Sequence, residues 1–156
     1  MKHKTHIAYY YGRKKDNPKA RWLDRVICFF TNSKYSHVEL VYDFSEVSKI
    51  GLSWSSSPRD GGVRATSIDY GSGRWEVYEV MTDFTEDEIV AWCNRQNGKK
   101  YDWFGAIGSQ FSFIRHNPKK WFCVSFIGAC LMIPKSEKMT PQELFDYYGI
   151  YQRRVL

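Results

Sequence analysis

Polar and apolar side chains alternate along residues 35–42, where the sequence is Tyr-Ser-His-Val-Glu-Leu-Val-Tyr. Successive side chains of a β-strand point to opposite faces, so the pattern predicts a strand with His37, Glu39 and Val41 on one face. Polar residues on the buried or cleft face of a strand need partners or a chemical role. The strand therefore offers His37 and Glu39 as an acid–base pair, in which the carboxylate orients the imidazole or stabilises its charge.

Runs of apolar and β-branched residues bounded by turn residues predict further strands. These strands are expected at residues 5–11, 50–56, 63–68 and 75–80, with a last strand at 150–156. Short turns separate the strands near 36–42, 50–56, 63–68 and 75–80. We therefore expect these four consecutive strands to form an antiparallel sheet.

Helices are predicted from the spacing of apolar residues and from capping signals. Residues 20–30 have the apolar spacing of an amphipathic helix. Two capping boxes, Thr-Glu-Asp-Glu at 85–88 and Thr-Pro-Gln-Glu at 140–143, open helices that end near residues 96 and 149. A short apolar helix is expected from about residue 103. Strands grouped together with helices before and after them predict one α+β domain over residues 1–156.

A further helix is predicted in the segment that contains Cys123. It follows the turn-forming pair Asn-Pro at 117–118, has small residues at 125, 128 and 129, and is stopped by Pro134. Cys123 would lie at or near the N-terminus of this helix, where unpaired N–H groups and the helix dipole favour a thiolate. The same N–H groups could hold the oxyanion of an attacked carbonyl. Cys130, about two turns further on, is predicted to pack in the core.

Composition narrows the classes of function. The four cysteines, at positions 28, 93, 123 and 130, contain no Cys-x-x-Cys pair, so no zinc site, disulfide framework, metal or cofactor is indicated. The net charge of +6 favours anionic partners, but the basic residues are scattered and no nucleic-acid-binding motif accompanies them. We therefore expect no nucleic-acid partner. The N-terminus lacks the apolar run of a signal peptide, and the longest largely apolar stretch, 103–114, is too short for a transmembrane segment.

Three segments in a particular order resemble a known family. They are Ser-His-Val-Glu-Leu at 36–40, Gly-Lys-Lys-Tyr-Asp-Trp at 98–103 and Trp-Phe-Cys at 121–123, with a serine- and glycine-rich segment at 55–64. Together they resemble the circularly permuted NlpC/P60 (papain-like) cysteine hydrolases, in particular small phage-encoded members. In unpermuted domains the cysteine helix precedes the histidine strand. The order here is the reverse, as in lecithin:retinol acyltransferase-like proteins.

The resemblance implies a permuted papain-like fold in which an antiparallel sheet packs against the nucleophile-bearing helix. It implies that Cys123 is the nucleophile and His37 the base. The family's third polar residue usually lies on the strand after the histidine, where this chain offers only serines, so Glu39 is our first choice for the residue that orients His37. Relatives often have Cys-Ser-Glu where this chain has Cys-Val-Ser at 123–125. The missing acidic residue predicts altered substrate binding or weakened activity.

Four residues are predicted to contact substrate. Tyr101 and its neighbour Asp102 match family positions near the active site, although Asp102 fits equally well as a helix N-cap. Ser55 lies on the strand after the histidine strand. Arg59 belongs to the Arg-Asp-Gly-Gly loop at 59–62, which would form a rim of the cleft or serve simply as a hairpin turn.

The family resemblance implies hydrolysis of an amide bond in a peptide or a peptidoglycan stem or cross-link, through a thioester acyl-enzyme. The alternatives are a non-catalytic phage virion or host-interaction component on the same fold, and a lipid-directed acyltransferase or thioesterase whose 103–114 segment faces a membrane. For a phage-encoded protein the expected location is the host cytoplasm or the virion. Each of these functions except the non-catalytic one requires His37 and Cys123 to meet.

Overall fold

The computed structural model describes residues 2–11, 34–108, 117 and 119–156. The amphipathic helix predicted at residues 20–30 lies outside this part of the chain. The same holds for the end of the apolar segment 103–114, beyond residue 108.

Strands within the described residues form one antiparallel sheet. They are β1 (His3–Tyr10), β2 (His37–Tyr42), β3 (Ile50–Ser57), β4 (Gly62–Asp69), β5 (Trp75–Thr82) and β6 (Arg153–Arg154). Their order across the sheet is β4-β3-β2-β1-β5-β6, and every neighbouring pair is antiparallel. The predicted α+β class and the antiparallel sheet are confirmed.

The four strands predicted to form one antiparallel sheet all belong to it, but they are not all neighbours. Strand β5 pairs with β1 rather than with β4, and β1 lies between β2 and β5. Ile7, Ala8 and Tyr9 are all fully buried, so β1 is apolar on both faces and fits an interior position of the sheet. The predicted C-terminal strand is shorter than expected, since the strand itself is Arg153–Arg154. Val155 and Leu156 continue along β5 through backbone hydrogen bonds to Val77.

Four α-helices lie in the described residues, namely α1 (Glu86–Gln96), α2 (Trp103–Gly108), α3 (Cys123–Cys130) and α4 (Pro141–Tyr148). Both predicted capping boxes are present. The Thr85 hydroxyl accepts from the Glu88 N–H at 3.3 Å, and the Thr140 hydroxyl accepts from the Glu143 N–H at 3.1 Å. Helix α3 ends at Cys130, before the proline that was expected to stop it.

The main hydrophobic core lies between one face of the sheet and helix α3. Val38 and Leu40 of β2 pack in it with Phe126 and Ile127, and all four are fully buried. Gly128 allows α3 to approach the following turn closely, because a Cβ at this position would lie 2.0 Å from the Ser136 Cβ. The opposite face of the sheet carries a smaller apolar cluster of Ala8, Val41, Tyr70 and Val77. Helix α3 is thus fixed against the centre of the sheet.

Candidate functional site

The first residue of strand β2 is His37, which pairs with Tyr10 of β1. Its Nε2 lies 2.8 Å from Glu39 Oε1, so the two residues predicted to share a strand face are hydrogen-bonded. The His37 side chain is 15% exposed, whereas that of Glu39 is 0% exposed. Because Glu39 engages Nε2, the ring nitrogen left for another partner is Nδ1.

A third residue, Arg64, holds Glu39 from strand β4. Arg64 Nη1 donates to Glu39 Oε2 at 2.8 Å, and Nη2 donates to Oε1 at 2.6 Å. Arg64 Nε also donates to Asp60 Oδ2 at 2.8 Å. The intervening strand places Ser55 opposite Arg64, and so small a side chain leaves room for the guanidinium to reach across β3. Asp60, Arg64, Glu39 and His37 therefore form a continuous polar chain.

Sequence reasoning missed Arg64. The alternation along β4 puts it on the same strand face as Thr66 and Ile68, but a strand pattern gives no register between strands. The ion pair depends on the pairing of β2, β3 and β4, which brings Arg64 over Ser55 toward Glu39. The available signal was chemical. A glutamate on the buried face of a strand needs a cationic partner, and Arg64 lies two strands further along the predicted sheet.

The charges of this network follow from its contacts. Burial alone would raise the pKa of Glu39, but hydrogen bonds from His37 and Arg64 outweigh burial and lower it below the ordinary value. Burial alone would lower the pKa of His37, but hydrogen bonding with Cys123 and Glu39 raises it to about 9. At neutral pH the imidazole is therefore protonated, with the Glu39 carboxylate on one side and Cys123 on the other.

Helix α3 carries Cys123 as its first residue, directly after the N-cap Phe122. The Ser125 hydroxyl accepts from the Phe122 N–H at 3.1 Å and donates to the Phe122 carbonyl at 3.0 Å. Ser125 thus caps the helix from the N3 position, which a glutamate fills in an ordinary capping box. Although the chain lacks an acidic residue at 125, the start of the helix under Cys123 is fixed by a side chain.

The glycine loop also positions the cysteine, through backbone contacts. A Cβ on Gly62 would lie 2.0 Å from the Lys99 carbonyl oxygen, and the Val63 N–H donates to that same oxygen at 2.8 Å. The Trp121 N–H in turn donates to the Lys100 carbonyl at 3.2 Å. The start of β4 therefore fixes the 99–100 backbone, which fixes Trp121 two residues before the nucleophile candidate.

A cleft of about 350 Å³ opens on the sheet face that bears His37 and Glu39. Its other lining residues include Tyr10, Arg59, Asp60, Arg64, Arg74 and Trp75. Cys123 is not among the lining residues, and it is only 5% exposed. The cleft therefore exposes the His37 imidazole, whereas the Cys123 side chain does not line it.

No protein-family model matches the chain, and neither does any curated protein. Among the residues that the structure describes, no helix is long and apolar enough to cross a membrane. The same part of the chain contains no cluster of three or more histidine, cysteine or acidic residues that could hold a metal ion.

The four residues predicted to contact substrate have different environments. Tyr101 is buried near the thiol, and burial followed by the neighbouring Cys123 and Asp102 raises its pKa well above the ordinary value. Asp102 caps α2, because its two carboxylate oxygens accept from the backbone N–H groups of Gly105 and Asn117, each at 3.0 Å. The Ser55 hydroxyl is buried and donates to the Val38 carbonyl at 2.7 Å.

Arg59 is the exposed member of the four and lines the cleft. Its guanidinium lies 5.6 Å from the centre of the Tyr10 ring, within range of a cation–π interaction. Asp60 lines the same cleft, and Gly61 has a φ of +78°, so the 59–62 segment is both a rim of the cleft and a turn. Arg59 thus lines the cleft and Tyr101 lies near Cys123, whereas Asp102 and Ser55 make hydrogen bonds to the backbone. Contact of these four residues with substrate stays a prediction.

Proposed function

We propose that the protein is a thiol-dependent hydrolase that cleaves an amide bond in a peptide or peptidoglycan-like substrate, on a permuted papain-like fold. Cys123 is the nucleophile, His37 the base and Glu39 the residue that orients the imidazole. One observation carries the proposal. A thiol at the start of a buried helix lies beside an imidazole whose other nitrogen is bound to a fully buried carboxylate. This combination matches the activated nucleophile of a cysteine hydrolase.

The first half of the reaction forms a thioester. Proton transfer from the Cys123 thiol to His37 Nδ1 gives a thiolate–imidazolium pair, which is the resting form at neutral pH. The thiolate attacks the substrate carbonyl carbon, forming a C–S bond while the carbonyl π pair moves to oxygen. The tetrahedral intermediate then collapses and the C–N bond breaks. The imidazolium gives its proton to the leaving nitrogen, which departs as an amine.

The second half regenerates the enzyme. His37 takes a proton from water, whose oxygen attacks the thioester carbonyl, and the resulting intermediate expels the Cys123 sulfur. The carboxylic acid product leaves, and the imidazolium and the expelled Cys123 thiolate are the pair from which the reaction began. Glu39 takes up no proton in either half. Its two oxygens are bound by His37 and Arg64, so its contribution is orientation and charge stabilisation.

Backbone N–H groups at the start of α3 suit an oxyanion. The first N–H groups of a helix have no intrahelical carbonyl partner, and the dipole adds partial positive charge there. The N–H of Cys123 itself belongs to this set because the residue is the first of the helix. An anionic oxygen formed next to the sulfur would meet these donors without rearrangement of the backbone.

The decisive experiment is alkylation by iodoacetamide at pH 7 with mass-spectrometric mapping, followed by hydrolysis assays on peptides and purified peptidoglycan. We expect Cys123 to react faster than Cys93 and Cys130, and C123A and H37A to lose hydrolysis while keeping their circular dichroism spectra. The variant C130A is the matched control, because it removes a cysteine from the other end of the same helix. A Cys123 no more reactive than Cys130 would refute the proposal.

A non-catalytic role, as a virion or host-interaction component, is the second candidate function. It is favoured by the low exposure of Cys123, at 5%, and by the absence of this residue from the cleft lining. A hydrolase must bring a carbonyl carbon into contact with the sulfur. Rapid alkylation of Cys123 in the folded protein supports the hydrolase, and protection of Cys123 at every pH up to 9 supports the non-catalytic role.

A further inference from the structure

Arg64 makes no hydrogen bond or ion pair with Cys123 or His37, yet it donates three hydrogen bonds to the carboxylates of the site, two to Glu39 and one to Asp60. Its guanidinium meets Glu39 through two parallel N–H···O bonds, the geometry that gives arginine–carboxylate pairs both strength and fixed orientation. Glu39 Oε1 is shared between Arg64 Nη2 and His37 Nε2. Any rotation of the carboxylate away from the guanidinium would therefore also move the acceptor away from the imidazole.

The energetics of burial make this contact necessary for Glu39. Its side chain is 0% exposed, and an ionised carboxylate in such a place requires partners that replace water. His37 supplies one hydrogen bond to Oε1, and Arg64 supplies the other bond to Oε1 and the one to Oε2. Without the guanidinium, Glu39 Oε2 would have no hydrogen-bond donor among the described residues. The carboxyl group would then take up a proton or turn away from His37.

The fold holds Arg64 in place from the other side. Its Nε donates to Asp60, and the Arg64 side chain is 20% exposed against 47% for Asp60. The adjacent residue Val63 pairs with the Lys99 backbone, which leads to Trp121 and the cysteine helix. Arg64, which holds Glu39, and the backbone that leads to the cysteine helix thus meet at the start of β4.

We propose that Arg64 is a positioning residue of the active site, which acts through Glu39 to hold the His37 imidazole against Cys123. This inference rests on the proposed hydrolase function, since it assigns a role within that site. Arg64 itself neither touches substrate nor transfers a proton. Its contribution is to keep Glu39 ionised and fixed in the orientation that binds Nε2.

A double-mutant cycle tests the proposal. The variants are R64Q, E39Q and R64Q/E39Q, and the measurement is the second-order rate of Cys123 alkylation by iodoacetamide at pH 7. We expect each single variant to slow alkylation by at least about tenfold, and the double variant to be no slower than the slower single variant, because both remove the same interaction. Multiplicative effects of the two substitutions would overturn the role through Glu39.

The titration of His37 supplies a readout that a merely structural role would not move. In NMR spectra of the imidazole, R64Q and E39Q should both shift the midpoint from about 9 toward the ordinary histidine value. An unchanged or higher midpoint in R64Q would overturn the proposal. If R64Q does not fold, R64K replaces it in the cycle and in the titration. Lysine keeps the charge but lacks the two-pronged contact, so a smaller change in the same direction is expected.

A matched control separates this role from the general loss of an arginine ion pair. Arg153 also bonds a glutamate, Glu79, through Nε and Nη2, but its side chain is 61% exposed and it lies on β6. The variant R153Q should leave both Cys123 alkylation and His37 titration unchanged. Slow alkylation of Cys123 in the unmodified protein would refute the hydrolase function itself. Fast alkylation that is insensitive to R64Q would refute only the role of Arg64.

Discussion

Helix α3 carries a cysteine at each end, and the two residues have opposite surroundings. Cys123 at the N-terminus lies beside the protonated His37, with Glu39 behind it. Cys130 at the C-terminus lies in the core, where its sulfur is 4.0 Å from that of Cys93. The hydrogen bond with Cys130, together with burial, raises the pKa of the Cys93 thiol well above the ordinary range. Cys123 thus contacts a cationic imidazole, whereas Cys130 contacts another thiol.

The comparison shows what separates a reactive cysteine from a packing one. Both residues of α3 are 5% exposed, so burial does not distinguish them. The difference lies in the partner and in the end of the helix, because the N-terminus favours a thiolate and the apolar core disfavours it. The chemistry of Cys123 therefore depends on His37.

The largest effect is expected from removing either member of the thiol–imidazole pair. C123A should lower hydrolysis to background, a loss of roughly a thousandfold or more, and H37A should do nearly the same because an unactivated thiol is a weak nucleophile at neutral pH. Initial rates on a cleaved peptide or on peptidoglycan measure the change. C93A and C130A are the controls and should retain most activity. Hydrolysis that survives C123A would remove the distinction between the two ends of the helix.

Gly62→Ala should damage the Cys123 end of α3 from a distance. The added Cβ would lie 2.0 Å from the Lys99 carbonyl, in a segment of backbone that cannot simply rotate away. We expect the free energy of unfolding to fall by about 3 kcal/mol, the upper end of the range for overpacked sites, and Cys123 alkylation to become slower. Urea denaturation and alkylation rates provide the measurements.

Gly61→Ala is the matched control for Gly62, because no atom lies within 4 Å of its added Cβ. Only its positive φ of +78° is strained by a side chain, which costs about 1–2 kcal/mol. Equal effects of the two substitutions would show that loop conformation, and not contact with Lys99, controls the position of the cysteine.

The pH dependence of stability should reveal the charged end of the helix. The pKa of His37 is raised to about 9 in the folded protein, against about 6.5 for an exposed histidine. The folded state therefore binds the proton more tightly, and the resulting stabilisation is complete below about pH 6.5 and is lost as the pH rises through about 9. We expect about 1–3 kcal/mol of stability to disappear across this window.

Urea unfolding at pH 6.5 and pH 9.5 measures this loss, and H37Q should remove most of it. C130A alters the titration of Cys93, but it should keep the part of the loss that H37Q removes, since Cys130 contacts Cys93 and not the imidazole. A pH dependence that is equal in H37Q and in the unmodified protein would contradict the assignment of His37 as a cation.

Local patterns in the sequence predicted one strand of the site and one helix. The alternation at 35–42 predicted that His37 and Glu39 share a face, and the turn before 119 placed Cys123 at a helix start; both features are present. The capping boxes at Thr85 and Thr140 are confirmed for the same reason, because a capping box is a local motif.

Contacts between distant segments could not be predicted in this way. The Arg64 ion pair requires the register of three strands, and the interior position of β1 requires knowledge of how the N-terminal strand pairs. The meeting of His37 with Cys123 remained an expectation of the sequence because 86 positions of chain separate the two residues. The structure brings the thiol beside the imidazole, whereas its catalytic role stays a prediction.

The smallest effect is expected at the packing end of α3. C130A removes a buried sulfur and its contact with Cys93, and a small loss of core volume without an unpaired charge should cost about 1 kcal/mol of stability. Because the substitution lies two turns from the helix N-terminus and leaves the backbone unchanged, Cys123 alkylation should stay within about twofold of the unmodified rate. Urea denaturation and alkylation at pH 7 test both statements on one sample. Slowing of Cys123 alkylation by C130A well beyond twofold would mean that the core contact at Cys93 controls the reactive end, and the two ends of α3 would then form one coupled unit.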